Sequence, residues 1–143
     1  MITGFNHTSF TVANLERAVD FWCGALGFER APIVERNAAW VEKVTGVPGA
    51  RIRVVHLHGH GHHMEFIAYA DGSEALATAL PDRPGTGHVC LEVDDIDATF
   101  AALLAAGAMP LGEMTKVESA DRPAFRAGYI RDPNGIIIEL LEI

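Results

Sequence analysis

The chain has 143 residues, of which 49% are hydrophobic, and it carries a formal net charge of −8 at pH 7. This length and apolar content predict one compact domain, or two small modules that share a core. The acidic balance argues against a broad nucleic-acid or anionic-membrane surface, because both need clustered Lys and Arg.

Cysteine use and hydropathy indicate the cellular compartment. Cys23 and Cys90 lack the number and spacing of a disulfide framework or a thiolate zinc site. No apolar run approaches the roughly 20 residues that cross a bilayer, and the first residues lack the pattern of a signal peptide. We therefore expect a soluble, unprocessed, cytoplasmic protein with no membrane or nucleic-acid partner.

The first half of the chain has the pattern of a strand, a helix and then about three strands. In residues 5–12, His7, Ser9 and Thr11 alternate with residues of the opposite face. Asn14 is an N-cap candidate for a helix that Gly27 ends. After this helix we expect an extended segment over 28–34 and one or two helical turns over 37–44. We then expect strands over 51–58 and 64–69, joined by a longer loop over 59–63.

Residues 71–87 are rich in Gly and Pro and predict a connector, with a helical turn over 74–80. We therefore divide the chain into a first module over 1–70, this connector, and a second module over 88–143.

The second module repeats the first. The strand HVCLE begins at His88, Asp95 is the N-cap candidate of a helix, and Gly107 ends that helix, as in the first half. A strand over 109–114 and a polar loop over 115–122 follow. The last predicted elements are strands over 125–131 and 135–141, joined by a tight Asp-Pro-Asn-Gly turn.

Four residues at equivalent positions of the two modules form a candidate metal site. A histidine opens each module, His7 and His88, and a glutamate lies in each module's last strand, Glu65 and Glu139. A carboxylate among apolar strand residues requires a partner, and a divalent cation satisfies both carboxylates at once. A single strand histidine is more often a structural residue, but the repeated placement favours metal ligands.

The segments HTSFTVANLERAVDFWCGALGFE, GHVCLEVDDIDATFAALLAAGA and YIRDPNGIIIELLE resemble the vicinal oxygen chelate superfamily. This superfamily includes glyoxalase I, methylmalonyl-CoA epimerase, extradiol dioxygenases, and fosfomycin or bleomycin resistance proteins. The resemblance implies an α+β fold in which paired βαβββ modules form a curved mixed sheet around a metal-binding cavity. It also implies that His7, Glu65, His88 and Glu139 are the metal ligands.

The ligand types favour proton-transfer chemistry. Two imidazoles and two carboxylates suit one octahedral divalent ion, Ni, Co, Zn, Mn or Fe, with two positions left for substrate oxygens. Such an ion acidifies a C–H bond next to a carbonyl, and a glutamate moves the proton. We expect an isomerase, epimerase or lyase that uses Glu139, and with it Glu65, as catalytic groups.

Two other functions remain open from the sequence. An Fe(II) extradiol-type dioxygenase needs two histidines and one glutamate, which leaves Glu65 without a role. A metal-free drug-binding resistance protein needs none of the four ligands. The expected partners are a small-molecule substrate, for which a CoA or glutathione thioester is a candidate, and a second copy of the chain in a homodimer. A site within one chain and a site across the dimer are both compatible with the sequence.

Several other residues have weaker functional signals. A further cluster of histidines comprises His56, His58, His60, His62 and His63. Alternating histidines at a hairpin tip can bind a metal adventitiously, but we expect a solvated turn. Phe21 and Trp22 are expected in the core. Candidate pocket residues are Ser9, Thr11, Tyr69, Cys90, Glu92 and Tyr129. Arg51, Arg53, Lys116, Arg122 and Arg126 are candidates for holding an anionic tail, although solvated surface charge is the commoner role.

Overall fold

The structure is a computed structural model that describes residues 1–73, 75–76 and 78–143. Its contacts divide the chain into two compact units, Met1–Leu76 and Ala77–Ile143. We call them the first and second units. None of the helices among the described residues combines the length and hydropathy needed to cross a membrane.

The first unit is a five-stranded mixed sheet with two helices. Its strands pair in the order β1-β5-β4-β2, with β3 also on β4, and only the β1–β5 pair is parallel. The elements are β1 Thr8–Thr11, α1 Leu15–Gly24, β2 Glu29–Arg30, β3 Val34–Arg36, α2 Trp40–Thr45, β4 Ile52–Gly59 and β5 His62–Tyr69.

The second unit repeats this topology with one helix. Its strands pair in the order β6-β10-β9-β7, with β8 also on β9, and only the β6–β10 pair is parallel. The elements are β6 His88–Glu92, α3 Ile96–Ala105, β7 Met109–Pro110, β8 Thr115–Val117, β9 Phe125–Arg131 and β10 Ile137–Glu142. Each unit is thus a βαβββ module whose second strand is split in two, which confirms the predicted fold class.

Local chemistry explains where the two main helices begin. The side chain of Asn14 accepts a hydrogen bond from the backbone N–H of Arg17, and Asp95 accepts one from Ala98 in the same way. Each interaction satisfies a backbone donor that has no partner within the helix. Both N-cap predictions are therefore confirmed. The two caps set the residue at which the helix of each unit begins after its first strand.

Aromatic packing joins α1 to the first sheet. Trp22 is fully buried, and its ring lies 5.2 Å from that of Phe66 on β5 and 5.4 Å from that of Phe28, between ring centroids. Phe21 is also buried. The core assignment of Phe21 and Trp22 is confirmed, so neither ring is available to contact a substrate.

The β4–β5 hairpin differs from the prediction. Gly59 pairs with His62, so the loop is the two residues His60 and Gly61, both with positive φ, at 52° and 75°. Two consecutive residues with positive φ match the right-handed twist of paired strands. The predicted longer loop over 59–63 was wrong, because the glycine at position 61 permits a tight turn and lets His62 and His63 join β5.

The second unit also departs from the prediction in two neighbouring places. Residues 115–117, predicted as part of a polar loop, form β8 and pair with β9. The predicted strand over 109–114 is reduced to Met109–Pro110.

The predicted tight turn is confirmed, since Asp132 accepts hydrogen bonds from the backbone N–H groups of Asn134 and Ile136. The predicted helical turn over 74–80 includes Glu74 and Ala77, which lie outside the described residues.

We predict that Asn14→Ala lowers the free energy of unfolding by about 1 kcal/mol, because α1 loses the side chain that caps it. Denaturant unfolding followed by circular dichroism measures this change. The control is Asn37→Ala, since Asn37 is exposed and lies outside the helices. An equal effect of the two substitutions would contradict the capping role.

Candidate active site

The parallel β1–β5 pair brings the first predicted ligand pair together. Ser9 lies opposite Glu65 in the register, and His7 precedes β1 by one residue. The Nε2 atom of His7 lies 3.4 Å from Oε1 of Glu65. The other ring nitrogen of His7 is 2.7 Å from the side-chain oxygen of Asn6, which fixes the orientation of the ring.

The second predicted pair has the same construction. Cys90 lies opposite Glu139 in the parallel β6–β10 register, and His88 is the first residue of β6. The Nε2 atom of His88 lies 3.0 Å from Oε2 of Glu139. The structure therefore joins His7 to Glu65 and His88 to Glu139, one pair in each unit. We call these pairs the first and second half-sites.

The two half-sites differ in the residue that faces the carboxylate from the neighbouring antiparallel strand. His56 on β4 lies opposite Glu65, whereas Tyr129 on β9 lies opposite Glu139. The Tyr129 ring is 5.1 Å from that of His88 between centroids. The first carboxylate thus has imidazoles on two sides, while the second has one imidazole and a phenol.

His56 and His63 form a chain of contacts that ends on Glu65. The Nε2 atom of His56 is 3.5 Å from Oε2 of Glu65, and its Nδ1 atom is 3.0 Å from Nε2 of His63. Nδ1 of His63 in turn lies 3.1 Å from the backbone oxygen of Asn6. The expectation that these histidines form a solvated tip was wrong for His56 and His63, because the tight turn places both on paired strands.

Partial burial shapes the acid–base properties of three groups around the half-sites. Burial lowers the pKa of His56 below its ordinary value and outweighs the opposite effect of the Glu65 carboxylate. Burial also raises the pKa of the Cys90 thiol, and the charge of Glu139 and a hydrogen bond to it add to the rise. The pKa of Tyr129 is raised by burial and then by Glu139.

The donor chemistry of both half-sites fits a divalent transition-metal ion. Two donors about 2.1 Å from one ion subtend about 90–110° when they are 3.0–3.5 Å apart, as these nitrogen and oxygen atoms are. Within the described residues, no three His, Cys, Asp or Glu side chains are arranged to hold an ion. Each half-site therefore supplies two donors of a set, and neither is a complete site by itself.

A cavity of about 530 Å³ opens beside Glu139 in the second unit. Its lining is mainly apolar, with Tyr129 and Glu139 on one side and the carboxylates of Asp82 and Glu113 among the other residues. None of the described lining residues is Lys or Arg. Tyr129 was predicted from the sequence to line a pocket. No sequence pattern pointed to Leu80, Leu111 or Glu113, because these residues lie in loops that only the folded structure brings together.

The candidate anion-binding cations are engaged with other groups. Arg51 contacts Asp71, and Arg53 contacts Glu16. Arg126 holds Asp97 with two hydrogen bonds, and the Arg122 guanidinium lies 3.9 Å above the ring of Phe125. Lys116 contacts Glu118. These contacts favour surface ion pairing over recognition of an anionic tail.

A family model described as the Glyoxalase/Bleomycin resistance protein/Dioxygenase superfamily matches residues 4–140. The chain belongs to this superfamily. The resemblance seen in the sequence is therefore confirmed.

Known members of the superfamily include enzymes and metal-containing proteins. The chain is 29% identical over 147 residues to an ethylmalonyl-CoA/methylmalonyl-CoA epimerase of Cereibacter sphaeroides, with 100% of both proteins covered. A glyoxalase family protein of Bacillus cereus has the same fold, with a TM-score of 0.82, 24% identity, and coverage of 99% of this chain and 95% of that one.

A fosfomycin resistance protein, FosX of Listeria monocytogenes, was solved in complex with Mn(II) and sulfate. It matches with a TM-score of 0.60 and 14% identity, and the match covers 100% of this chain and 94% of that one. Divalent metal binding thus occurs among members of the superfamily, and the similarity of this chain to FosX is one of fold.

We predict that Glu139→Gln makes Cys90 more reactive toward iodoacetamide at neutral pH. The substitution removes the negative charge that raises the pKa of the thiol, so a larger fraction is present as the reactive thiolate. Peptide mass spectrometry of the alkylated protein measures the rate at Cys90. Cys23, whose thiol pKa is raised by burial first, is the internal control and should keep its rate.

Proposed function

We propose that the protein is a divalent-metal-dependent enzyme that moves a proton next to a carbonyl group, as an epimerase, isomerase or lyase. The observation that carries this proposal is the repeated pairing of an imidazole with a carboxylate, His7 with Glu65 and His88 with Glu139. The sequence similarity to an epimerase over the full chain supports it.

In this proposal the four side chains hold one ion, within a single chain or across a homodimer. Nitrogen and carboxylate donors in equal number suit Ni, Co, Zn, Mn or Fe. The bound ion would supply Lewis-acid polarisation of the substrate's carbonyl oxygen. The cytoplasm, which keeps Cys23 and Cys90 reduced, is the proposed compartment.

Differences between the half-sites favour Glu139 as the base that removes the substrate proton. Glu65 has an imidazole near each carboxylate oxygen, and its side chain is 14% exposed. Glu139 contacts one imidazole, is 23% exposed and lines the cavity. The more exposed carboxylate, which also faces the cavity, has better access to a substrate, so we assign proton removal to Glu139 and proton return in an epimerisation to Glu65.

The cavity beside Glu139 favours an uncharged reacting group. Glu113 and Glu139 would repel a phosphate or carboxylate placed there, whereas Arg83 contacts Asp82 and offsets its charge; none of the described lining residues is Lys or Arg. A short acyl or hydroxyketone group fits this cavity. If the substrate is a CoA or glutathione thioester, its anionic part must bind outside the cavity.

The alternative functions receive less support. An extradiol-type dioxygenase leaves Glu65 without a role, yet this carboxylate has contacts with two histidines. A metal-free drug-binding protein needs neither half-site. Both alternatives are separated from the proposal by metal content and by the reaction that is catalysed.

A substrate panel tests the proposal on protein purified without a histidine tag and reconstituted with Ni, Co, Zn, Mn or Fe. The panel contains acyl-CoA esters, glutathione hemithioacetals, small uncharged hydroxyketones and catechols, and deuterium uptake from D₂O reports proton transfer. We expect metal-dependent exchange at the carbon next to a carbonyl. Catechol cleavage alone, or metal-loaded protein that turns over none of the panel, would refute the proposed function.

We predict that Glu139→Gln lowers kcat by at least about 100-fold, because the amide cannot accept the substrate proton. Metal content should fall less than activity, since the amide oxygen remains a donor. Steady-state kinetics and metal analysis of the same preparation measure both effects. Glu113→Gln is the control because Glu113 lines the cavity without belonging to a half-site. Wild-type turnover in Glu139→Gln would show that this carboxylate is not the base.

A further inference from the structure

The hydrogen-bond chain through His63 and His56 has a defined direction. A backbone carbonyl only accepts hydrogen bonds, so the contact of His63 Nδ1 with the oxygen of Asn6 places a proton on Nδ1. In a neutral His63 ring, Nε2 is then unprotonated. It accepts the hydrogen bond from Nδ1 of His56, and this leaves Nε2 of His56 without a proton.

At the Glu65 end of these hydrogen bonds, two atoms that carry lone pairs lie next to each other. The unprotonated Nε2 of neutral His56 lies 3.5 Å from the Oε2 atom of Glu65, a carboxylate that also only accepts. With no proton between them, these two atoms repel each other. A cation bound between the two atoms would replace this repulsion with two attractive contacts.

The same geometry is typical of a metal-binding histidine. Such a histidine usually donates its second ring N–H to an acceptor that fixes the ring and its tautomer. His63 is that acceptor for His56, and the backbone of Asn6 holds His63 in turn. The separation of 3.5 Å also matches two donors on one ion.

We propose that His56 and Glu65 hold a second divalent cation at this edge, which we call the His56 edge. The two atoms are His56 Nε2 and Glu65 Oε2, and water completes the coordination, because no third described side chain converges there. The occupant is a borderline transition-metal ion such as Co²⁺ or Zn²⁺, for which imidazole and carboxylate are both suitable ligands.

Glu65 then bridges two positions. Its Oε1 atom lies next to His7, in the half-site assigned to the first ion, while Oε2 belongs to the His56 edge. This bridging role rests on the proposed function, whereas the His56 edge itself does not. In the second unit, Tyr129 occupies the position equivalent to His56, so only the first half-site has such an edge.

The test is equilibrium dialysis of tag-free apoprotein against Co²⁺ at about pH 8, where free imidazole is neutral and a proton no longer competes. Metal analysis and the visible Co²⁺ spectrum give stoichiometry and affinity. We expect wild-type protein to bind two equivalents, one weakly, and His56→Tyr to lose the weak equivalent. Tyrosine is chosen because the protein itself uses it opposite Glu139. His56→Gln is the second variant if His56→Tyr does not fold.

Two further variants separate the His56 edge from other binding. His63→Phe should weaken the second equivalent by about 10–100-fold, because His56 loses the acceptor that fixes its tautomer. His62→Asn is the matched control, since His62 is exposed on the same hairpin and outside the chain of contacts. Loss of the same equivalent in His62→Asn would assign the ion to the exposed hairpin and overturn the proposal.

His88→Ala distinguishes this proposal from the proposed function. We expect it to lose the tight equivalent and to keep the weak one. If His88→Ala keeps both equivalents while His56→Tyr loses one, the four-ligand site fails and the His56 edge stands. Equal uptake by wild-type protein and His56→Tyr would overturn the second cation position, and so would a single wild-type equivalent that His56→Tyr retains.

Discussion

The parallel pairing of the first and last strands of each βαβββ unit is the constraint on which the candidate site depends. In each unit this pairing sets an imidazole beside a carboxylate, His7 with Glu65 and His88 with Glu139. A parallel pair needs a long connection between its strands, and here the helix and the intervening strands supply it. The topology thus joins residues that are far apart in sequence and gives both halves the same donor pair.

The repeat does not make the two halves chemically equal. The antiparallel neighbour of each carboxylate strand contributes His56 in the first unit and Tyr129 in the second. An imidazole can share a cation or a proton with the carboxylate, whereas a phenol with a raised pKa stays neutral and meets a carboxylate as a hydrogen-bond donor. The difference between His56 and Tyr129 at equivalent register positions therefore places Glu65 between two imidazoles, while Glu139 contacts one imidazole and faces a cavity.

The charge around the cavity limits which substrates can bind beside Glu139. The chain is acidic, and the carboxylates of Asp82 and Glu113 lie among the residues that line the space beside Glu139. The cations of the second unit contact acids, a ring or backbone oxygens, as in the bonds from Arg131 to the carbonyls of Gly135 and Ala79. Membership of the superfamily does not specify the substrate. The acidic lining favours a substrate whose reacting group is uncharged.

The sequence by itself determined the βαβββ repeat, the caps Asn14 and Asp95 and the Asp132–Gly135 turn, because periodicity and local turn chemistry encode them. It also marked His7, Glu65, His88 and Glu139 as candidates by their repeated placement, but their contacts depend on the parallel strand pairing. It did not determine that His56 and His63 reach Glu65. That contact depends on the register of the β4–β5 hairpin, which the two-residue turn at His60 and Gly61 sets. A shift of one residue would turn both side chains to the opposite face. The cavity likewise required the tertiary structure, since its walls come from loops whose spacing carries no periodic signal.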